Sequence, residues 1–349
     1  MKILFTGGGT MGHVSLNIAL IPLFQKEGWE TIYIGSQDGI EKTEIKKLES
    51  VPYYTVSTGK LRRYMSMQNV KDIPGIFRGI AQARSIIKRE KPDIVFAKGG
   101  FVSVPVIIGA RLNKIPVVLH ESDISIGLAN KLAYPFVSRI YSTFPEIAEK
   151  HKKAVCIGSI IRDDLKTGDV DRGMQLCGFN GKRPIMLVMG GSLGAMSLNR
   201  AVWSNLDRLT EKYQIVHLCG KNNFNKDARA DGYAQFEFVR EELYDILAVT
   251  DFVFSRAGAN TIFEMLYFKK PMILVPLPLS QSRGDQILNA QSFEKKGYCK
   301  VIRDQDLPNI NLPEEIDEFY ANRQSYISAM PQPQNDGLQR LFREIKNYA

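Results

Sequence analysis

At 349 residues the chain is long enough for about two domains, each able to bury its own core. Its 44% hydrophobic and 24% charged content is that of an ordinary soluble globular protein, and no apolar run approaches the ~18–20 residues of a membrane span. The formal net charge of +9 lies entirely in the first 160 residues, which carry 22 basic against 13 acidic side chains, while the remainder balances.

The N-terminus enters a strand at once, over 2–6, which predicts no signal peptide. This strand runs straight into Gly7-Gly8-Gly9-Thr10-Met11-Gly12-His13, and a helical pattern follows with Leu16, Leu20, Leu23 and Phe24 on one face. Glycines at such a turn let backbone N–H groups approach an anion at a helix N-terminus, where the helix dipole also favours negative charge. His13 adds a group that exchanges protons near neutral pH. The spacing is not a clean G-x-G-x-x-G, and no acidic residue closes the second strand, 30–34, where an NAD enzyme would hold a ribose. A tight turn with no ligand is the plain alternative.

Further strands are expected at 53–56, 94–97, 116–120, 139–142 and 154–157, with helical patterns between most of them. Such alternation predicts a mostly parallel sheet covered on both faces. Between the third and fourth strands the chain turns basic. Lys60, Arg62, Arg63, Lys71, Arg78, Arg84, Lys88, Arg89, Lys91 and Lys98 outnumber Asp72, Glu90 and Asp93, with Leu61, Tyr64, Met65, Met67, Ile73, Ile76, Phe77 and Ile80 interleaved. Basic residues mixed with large apolar ones suit an anionic membrane surface. A solvated helix face is the bland alternative, and nucleic acid ranks low because no nucleic-acid motif accompanies the charge. Strand 94–97 ends in Lys98-Gly99-Gly100-Phe101, and strand 116–120 in the charged loop His120–Lys131. Open α/β sheets bind ligands at such strand ends, and paired glycine turns there can cradle a diphosphate.

A domain boundary is expected between Gly158 and Asp169. The second half repeats the pattern, with strands near 184–189, 214–218, 235–238, 251–254, 272–275 and 299–302. The first of these enters Gly190-Gly191-Ser192-Leu193-Gly194-Ala195 and a helix from about 196 to 209. The fourth ends in Ser255–Thr261, ahead of a helix carrying Glu264. Pro331-Gln332-Pro333 breaks the chain, and 335–348 reads as a separate helix. Cys156, Cys177, Cys219 and Cys299 show no C-x-x-C spacing and read as reduced thiols of a cytoplasmic protein. The four histidines are too far apart in sequence to give metal-ligand spacing. The triplets Asp169-Val170-Asp171 and Asp304-Gln305-Asp306 fall outside the expected ligand loops, so no required metal and no cofactor is expected.

Taken together, Gly7–His13, Lys98–Pro105, His120–Lys131, the run 157–162, Gly190–Ala195, Ser255–Glu264 and the run 285–290 resemble, in order and over essentially the whole chain, the MurG family of lipid II-forming N-acetylglucosaminyltransferases. The resemblance implies an α/β fold of GT-B type, with two Rossmann-like domains whose parallel sheets face each other across a cleft. It implies an N-terminal acceptor- and membrane-binding domain over 1–161, with a C-terminal helix (about 334–349) packing back on it, and a UDP-sugar-binding domain over 162–333. UDP-GlcNAc is then the donor, and lipid I (undecaprenyl-diphosphate-MurNAc-pentapeptide) the acceptor. The location implied is peripheral, on the cytoplasmic face of a bacterial membrane, with cell-wall or division machinery as a further class of partner.

By matching motif, Arg162, Ser192, Val239, Glu264 and Gln286 resemble donor-binding residues. Gly8, Gly9, Thr10, Gly12, Gly99, Gly100, Asp123 and Asn130 fall to the acceptor and its diphosphate, and His13 is the candidate base. Arg256, beside a glycine turn, leaves a structural role equally open. Three positions depart from the commoner pattern: Met11 replaces glycine, Phe101 replaces tyrosine, and Asp123 replaces asparagine. Ser-Arg-Gly-Asp at 282–285 also differs, and these departures read as a Gram-positive-like branch. A carboxylate at 123 beside a diphosphate is unfavourable unless it is paired or protonated. The rival readings are a diacylglycerol glycosyltransferase, a UDP-sugar epimerase of the same fold, and an inactive membrane scaffold.

Overall fold

The computed structural model describes residues 1–59, 67–161, 168–191, 193–282, 284–333 and 336–349, the side chains of 67–73 excepted. The chain divides into two compact units, Met1–Asp163 with Asn335–Ala349, and Asp164–Gln334.

The first unit alternates strand and helix. Its elements are β1 (Lys2–Thr6), α1 (Ser15–Lys26), β2 (Glu30–Gly35), α2 (Ile40–Ile45), β3 (Tyr53–Thr55), α3 (Met67–Glu90), β4 (Ile94–Ala97), α4 (Ser103–Leu112), β5 (Val117–Glu121), α5 (Leu128–Ala133), β6 (Arg139–Ser142), α6 (Pro145–Lys150) and β7 (Ala154–Cys156). The seven strands pair in the order β3-β2-β1-β4-β5-β6-β7. Every pairing is parallel. Successive strand residues point to opposite faces, so β1 feeds two cores. Ile3 and Phe5 join Leu20, Ile21 and Phe24 of α1, while Leu4 joins Ile87, Val106 and Ile107 on the α3–α4 side.

The second unit comprises α7 (Val170–Cys177), β8 (Ile185–Met189), α8 (Met196–Trp203), α9 (Leu206–Lys212), β9 (Gln214–Leu218), β10 (Tyr233–Phe236), α10 (Glu242–Val249), β11 (Phe252–Ser255), α11 (Ala259–Tyr267), β12 (Met272–Leu274), α12 (Asp285–Lys295), β13 (Cys299–Val301), α13 (Leu312–Ala321) and α14 (Arg323–Ala329). Its sheet order is β10-β9-β8-β11-β12-β13, again all parallel. The last helix, α15 (Gly337–Tyr348), belongs to the first unit. Leu338, Leu341, Phe342 and Ile345 recur at helical spacing and enter the α1 side of that core, where the Phe342 and Phe24 rings meet edge-on at 4.7 Å. A Lys346–Glu27 ion pair closes the same contact at the surface.

In each sheet the strand order reverses once, between β1 and β4 and between β8 and β11. These reversals open a crevice outside the strand C-termini, the usual ligand position of doubly wound sheets. Two sequence expectations are corrected. The single helix over 196–209 is two helices, because the chain turns at Ser204-Asn205. There the Asn205 side chain bonds back to the Ala201 carbonyl at 2.9 Å, a local competitor of the helical ladder. The strand expected at 235–238 lies two residues earlier, at Tyr233–Phe236, where Gly232 supplies the left-handed turn that starts it.

That shift places the Tyr233 hydroxyl against the His217 Nδ1 (2.9 Å), and Asn199 of α8 meets the other ring nitrogen at 3.0 Å. Trp203 donates to the same hydroxyl at 3.0 Å, so α8, β9 and β10 are tied through one imidazole. His217 is fully buried, and burial lowers its pKa from the usual 6.5 to about 4. Because the folded value is depressed, this stabilisation is complete above about pH 6.5 and is lost as pH falls toward 4, by up to about 3 kcal/mol. Urea midpoints measured from pH 7.5 to 4.5 should fall faster in the parent than in His217→Gln; parallel curves would contradict the assignment.

Candidate active site

The site in the first unit begins where β1 ends. Gly8 N–H donates to the Gly99 carbonyl at 3.3 Å, and a Cβ on Gly100, whose φ is +84°, would overlap the Gly8 carbonyl oxygen. The loops after β1 and β4 therefore meet backbone to backbone at the strand-order reversal, and only glycine permits that approach. Tyr33 donates to the Gly7 carbonyl at 2.7 Å, while Asn17 donates to the Tyr33 hydroxyl at 3.0 Å and to the Thr6 carbonyl at 3.2 Å. From α2 the fully buried Glu41 accepts from Gly9 N–H (3.1 Å), Ser36 N–H (3.0 Å) and the Ser36 hydroxyl. Two amides of the expected cradle, those of Gly8 and Gly9, are thus engaged within the protein. Thr10 and Gly12 are exposed, and His13 ends a short 3-10 turn with its N–H on the Thr10 carbonyl, half-buried two residues before α1.

Beneath these loops lies a buried set of charges. Lys98, the residue after β4, is 4% exposed and donates to the Ser122 hydroxyl at 3.1 Å. Glu121, closing β5, is 5% exposed and accepts from Asp123 N–H (3.2 Å), Gly127 N–H (3.0 Å) and the Asn130 amide (2.8 Å). Burial pushes the Glu121 carboxyl above its usual range, and the Lys98 ammonium opposes that. Burial likewise lowers the Lys98 amine, against the pull of the Glu121 and Asp123 carboxylates. His120 is held neutral, well below its usual pKa, first by burial and then by Lys98. Asn130 also packs against Gly99, where a Cβ would meet its amide. Gly8, Gly9, Gly99, Gly100, Asp123 and Asn130 therefore share one connected loop cluster.

The second unit repeats the device. After β8, Gly194 N–H closes a turn on the Gly191 carbonyl at 2.9 Å, and a Cβ on Gly194 would overlap the Cys219 carbonyl of the loop after β9. Asn223 of that loop donates to the Leu193 carbonyl at 2.9 Å. Arg256, which follows β11, is buried. It pairs with Asp304 and donates to the Val275 carbonyl (3.2 Å) and the Ser197 hydroxyl (2.8 Å), so it locks the ends of β11, β12 and β13 to α8. Its role in the structure is internal. Asp304 is accordingly not remote from the strand-end loops, as its sequence position suggested, but is committed to this ion pair.

Glu264 lies half-buried on α11. Gln286, second residue of α12, accepts from Leu277 N–H at 3.1 Å and so fixes the loop after β12. Val239 lies in the loop after β10. All three belong to segments following strand C-termini, spread from β10 to β12. Arg162 and Ser192 lie outside the described residues, as do 60–66 of the basic segment. Among the described residues, no group of three or more His, Cys, Asp or Glu side chains is arranged to hold a metal ion. Sequence reading missed Glu41, whose partner Gly9 lies 32 positions away, and gave no role to Lys98 or Glu121. The only available signal was a charged residue at the end of each of two apolar strands.

Two family profiles cover most of the chain: the glycosyltransferase family 28 N-terminal domain matches residues 3–142, and its C-terminal domain matches 185–345. A protein of Geobacillus thermodenitrificans is 51% identical over 100% of this chain and 99% of its own length. It is named UDP-N-acetylglucosamine--N-acetylmuramyl-(pentapeptide) pyrophosphoryl-undecaprenol N-acetylglucosamine transferase. A Clostridium botulinum protein of the same name is 50% identical over 99% of both chains. This chain belongs to the MurG family of glycosyltransferases. The crystal structure of Acinetobacter baumannii MurG, 22% identical, superposes with a TM-score of 0.78 over 99% of each chain, and a calicheamicin glycosyltransferase does so at 0.73 over 99% of this chain and 97% of its own. These likenesses agree with the GT-B type of two Rossmann-like domains.

In this MurG-family chain the Gly8–Gly100 contact admits no side chain. Gly100→Ala should part the two loops and lower kcat/KM by about 10²-fold, as sub-ångström to ångström misplacement does elsewhere. The change should be read beside a circular dichroism spectrum that stays at the parent's. Activity within threefold of the parent would show that the contact is dispensable.

Proposed function

We propose that the chain is an inverting, UDP-N-acetylglucosamine-dependent hexosyltransferase that moves GlcNAc to the MurNAc 4-hydroxyl of undecaprenyl-diphosphate-MurNAc-pentapeptide, forming lipid II for peptidoglycan synthesis. The observation that carries this reading is full-length identity of 51% to a relative named for that transfer. In support, each unit has a glycine-lined crevice at its strand-order reversal, suited to a diphosphate.

On this reading the first unit takes the acceptor. The MurNAc 4-hydroxyl attacks C1 of the α-linked sugar, its proton passes to His13, and UDP leaves in line, giving a β1→4 bond. The imidazole ends a 3-10 turn just ahead of α1, within the positive field of that helix's N-terminus. The second unit takes the donor. Glu264 accepts from the ribose hydroxyls, Val239 offers its backbone to the uracil, and Gln286, Arg162 and Ser192 complete the set. Leaving-group charge meets the N-terminus of α8.

We further infer that the first unit rests on an anionic membrane surface. No helix among the described residues is long and apolar enough to cross a membrane. Three helices of one layer, α3, α4 and α5, instead expose Phe77 (68%), Leu112 (53%) and Leu132 (42%). Arg78, Arg84, Lys88, Arg111, Lys114 and Lys131 are exposed around them. Shallow insertion of the apolar side chains with basic contacts to headgroups, each worth about 1 kcal/mol, would keep the acceptor's lipid tail in the bilayer.

Three measurements test the reading. His13→Ala should lower kcat by about 10²-fold or more with little change in UDP binding, whereas Glu264→Ala should weaken UDP binding by about 1–3 kcal/mol. Near-normal turnover in the first, or parent-like UDP affinity in the second, removes the respective role. The triple variant Arg78→Glu/Arg84→Glu/Arg111→Glu should co-sediment less with anionic vesicles at low salt, and rising salt should erase the difference. Equal, salt-independent binding by parent and variant would rule this face out.

A further inference from the structure

We propose that Lys98 is a positioning residue of the acceptor site: its buried ammonium is the countercharge that lets a carboxylate, Asp123, stand in the loop that meets the acceptor diphosphate. The inference rests on the acceptor reading given above. Three observations carry it. Lys98 immediately follows β4 and Glu121 ends the adjacent strand β5, and both are almost fully buried. The Lys98 ammonium donates to Ser122, the residue immediately before Asp123, and the Asp123 N–H is itself held by Glu121. The Lys98 backbone is tied to β1 through its N–H on the Thr6 carbonyl (2.9 Å), so the residue is held where both glycine loops begin.

The charge balance then decides how the loop behaves. Glu121, Asp123 and Lys98 together leave one formal negative charge beside a site that must take an anion. Remove Lys98 and two remain, in surroundings of low dielectric where each repels a diphosphate more strongly than it would in water. Glu121 is the clamp of the 121–130 loop, holding Asp123, Gly127 and Asn130, and without its countercharge burial drives it toward protonation. A buried cation or carboxylate with no opposite charge nearby is costly, so each of the two charges supports the other. An asparagine at this position would need no such partner. Lys98 is therefore a countercharge that favours a diphosphate acceptor beside Asp123.

A double-mutant cycle of Lys98→Met, Asp123→Asn and the double variant tests this. KM for a short-chain lipid I analogue, kcat, and the thermal unfolding midpoint are measured for each. Lys98→Met should raise the acceptor KM at least about tenfold when Asp123 is present and less than about threefold in the Asp123→Asn background, with kcat moving less than KM. The same factor in both backgrounds would overturn the proposal and leave Lys98 as a buried structural residue. If Lys98→Met alone does not fold, recovery of a cooperative unfolding transition in the double variant supports the countercharge role, and failure to recover overturns it. The unfolding arm needs no substrate. A parent enzyme that fails to use the lipid I analogue would therefore sink the acceptor reading, while Lys98–Asp123 coupling is still decided by the unfolding midpoints.

Discussion

The backbone of Gly8 lies where any residue other than glycine at position 100 would place its side chain. The contact joins the loops after β1 and β4, the two strands at which the first sheet reverses its order. The acceptor site proposed for this unit depends on it. The loops bring together the residues matched to the acceptor, and they bury the Lys98–Glu121 charges that lie under them. They also bring the chain into the turn that carries His13. Gly194 and the Cys219–Gly220 backbone make the corresponding contact in the second unit, although there the partner loop follows β9. The two units are thus alike in device and different in detail.

Polar groups rather than apolar packing fix the loop geometry. Glu41 holds the glycine loop from the side of α2, Tyr33 and Asn17 hold it from below, and Glu121 folds the 121–130 segment around its own carboxylate. Each of these side chains is buried and bonded, so each costs more to lose than an exposed equivalent. In the second unit Arg256 and Asp304 do the corresponding work between α8 and three strand ends. The residues proposed as catalytic are then carried on loops whose backbones are already determined, which is what a displacement of the proposed kind requires.

Much of the architecture was legible in the sequence. Twelve of the thirteen strands fall within a residue or so of the pattern of short apolar runs, because buried parallel strands need little besides β-branched and aromatic residues. The exception, β10, is part polar, and its start is set by a turn at Gly232 and by the Tyr233–His217 bond, neither of which leaves a periodic trace. The helix break at Ser204-Asn205 leaves no mark in the pattern, because the apolar spacing of Leu198, Val202, Leu206 and Leu209 continues through it. At the site, glycine turns and His13 announce themselves locally. Glu41 does not, since its partner is 32 residues away, and the pairing of Arg256 with Asp304 spans 48. Long-range polar pairing is the part of a site that a single sequence hides.

On the proposed function this chain joins GlcNAc to a lipid-diphosphate sugar in one inverting displacement. Incubation with UDP-GlcNAc, with and without a short-chain lipid I analogue, followed by NMR of the isolated product, tests it most directly. Acceptor-dependent UDP release and a new β1→4 linkage to MurNAc are predicted. UDP release that ignores the acceptor, or an α-linked product, would contradict it.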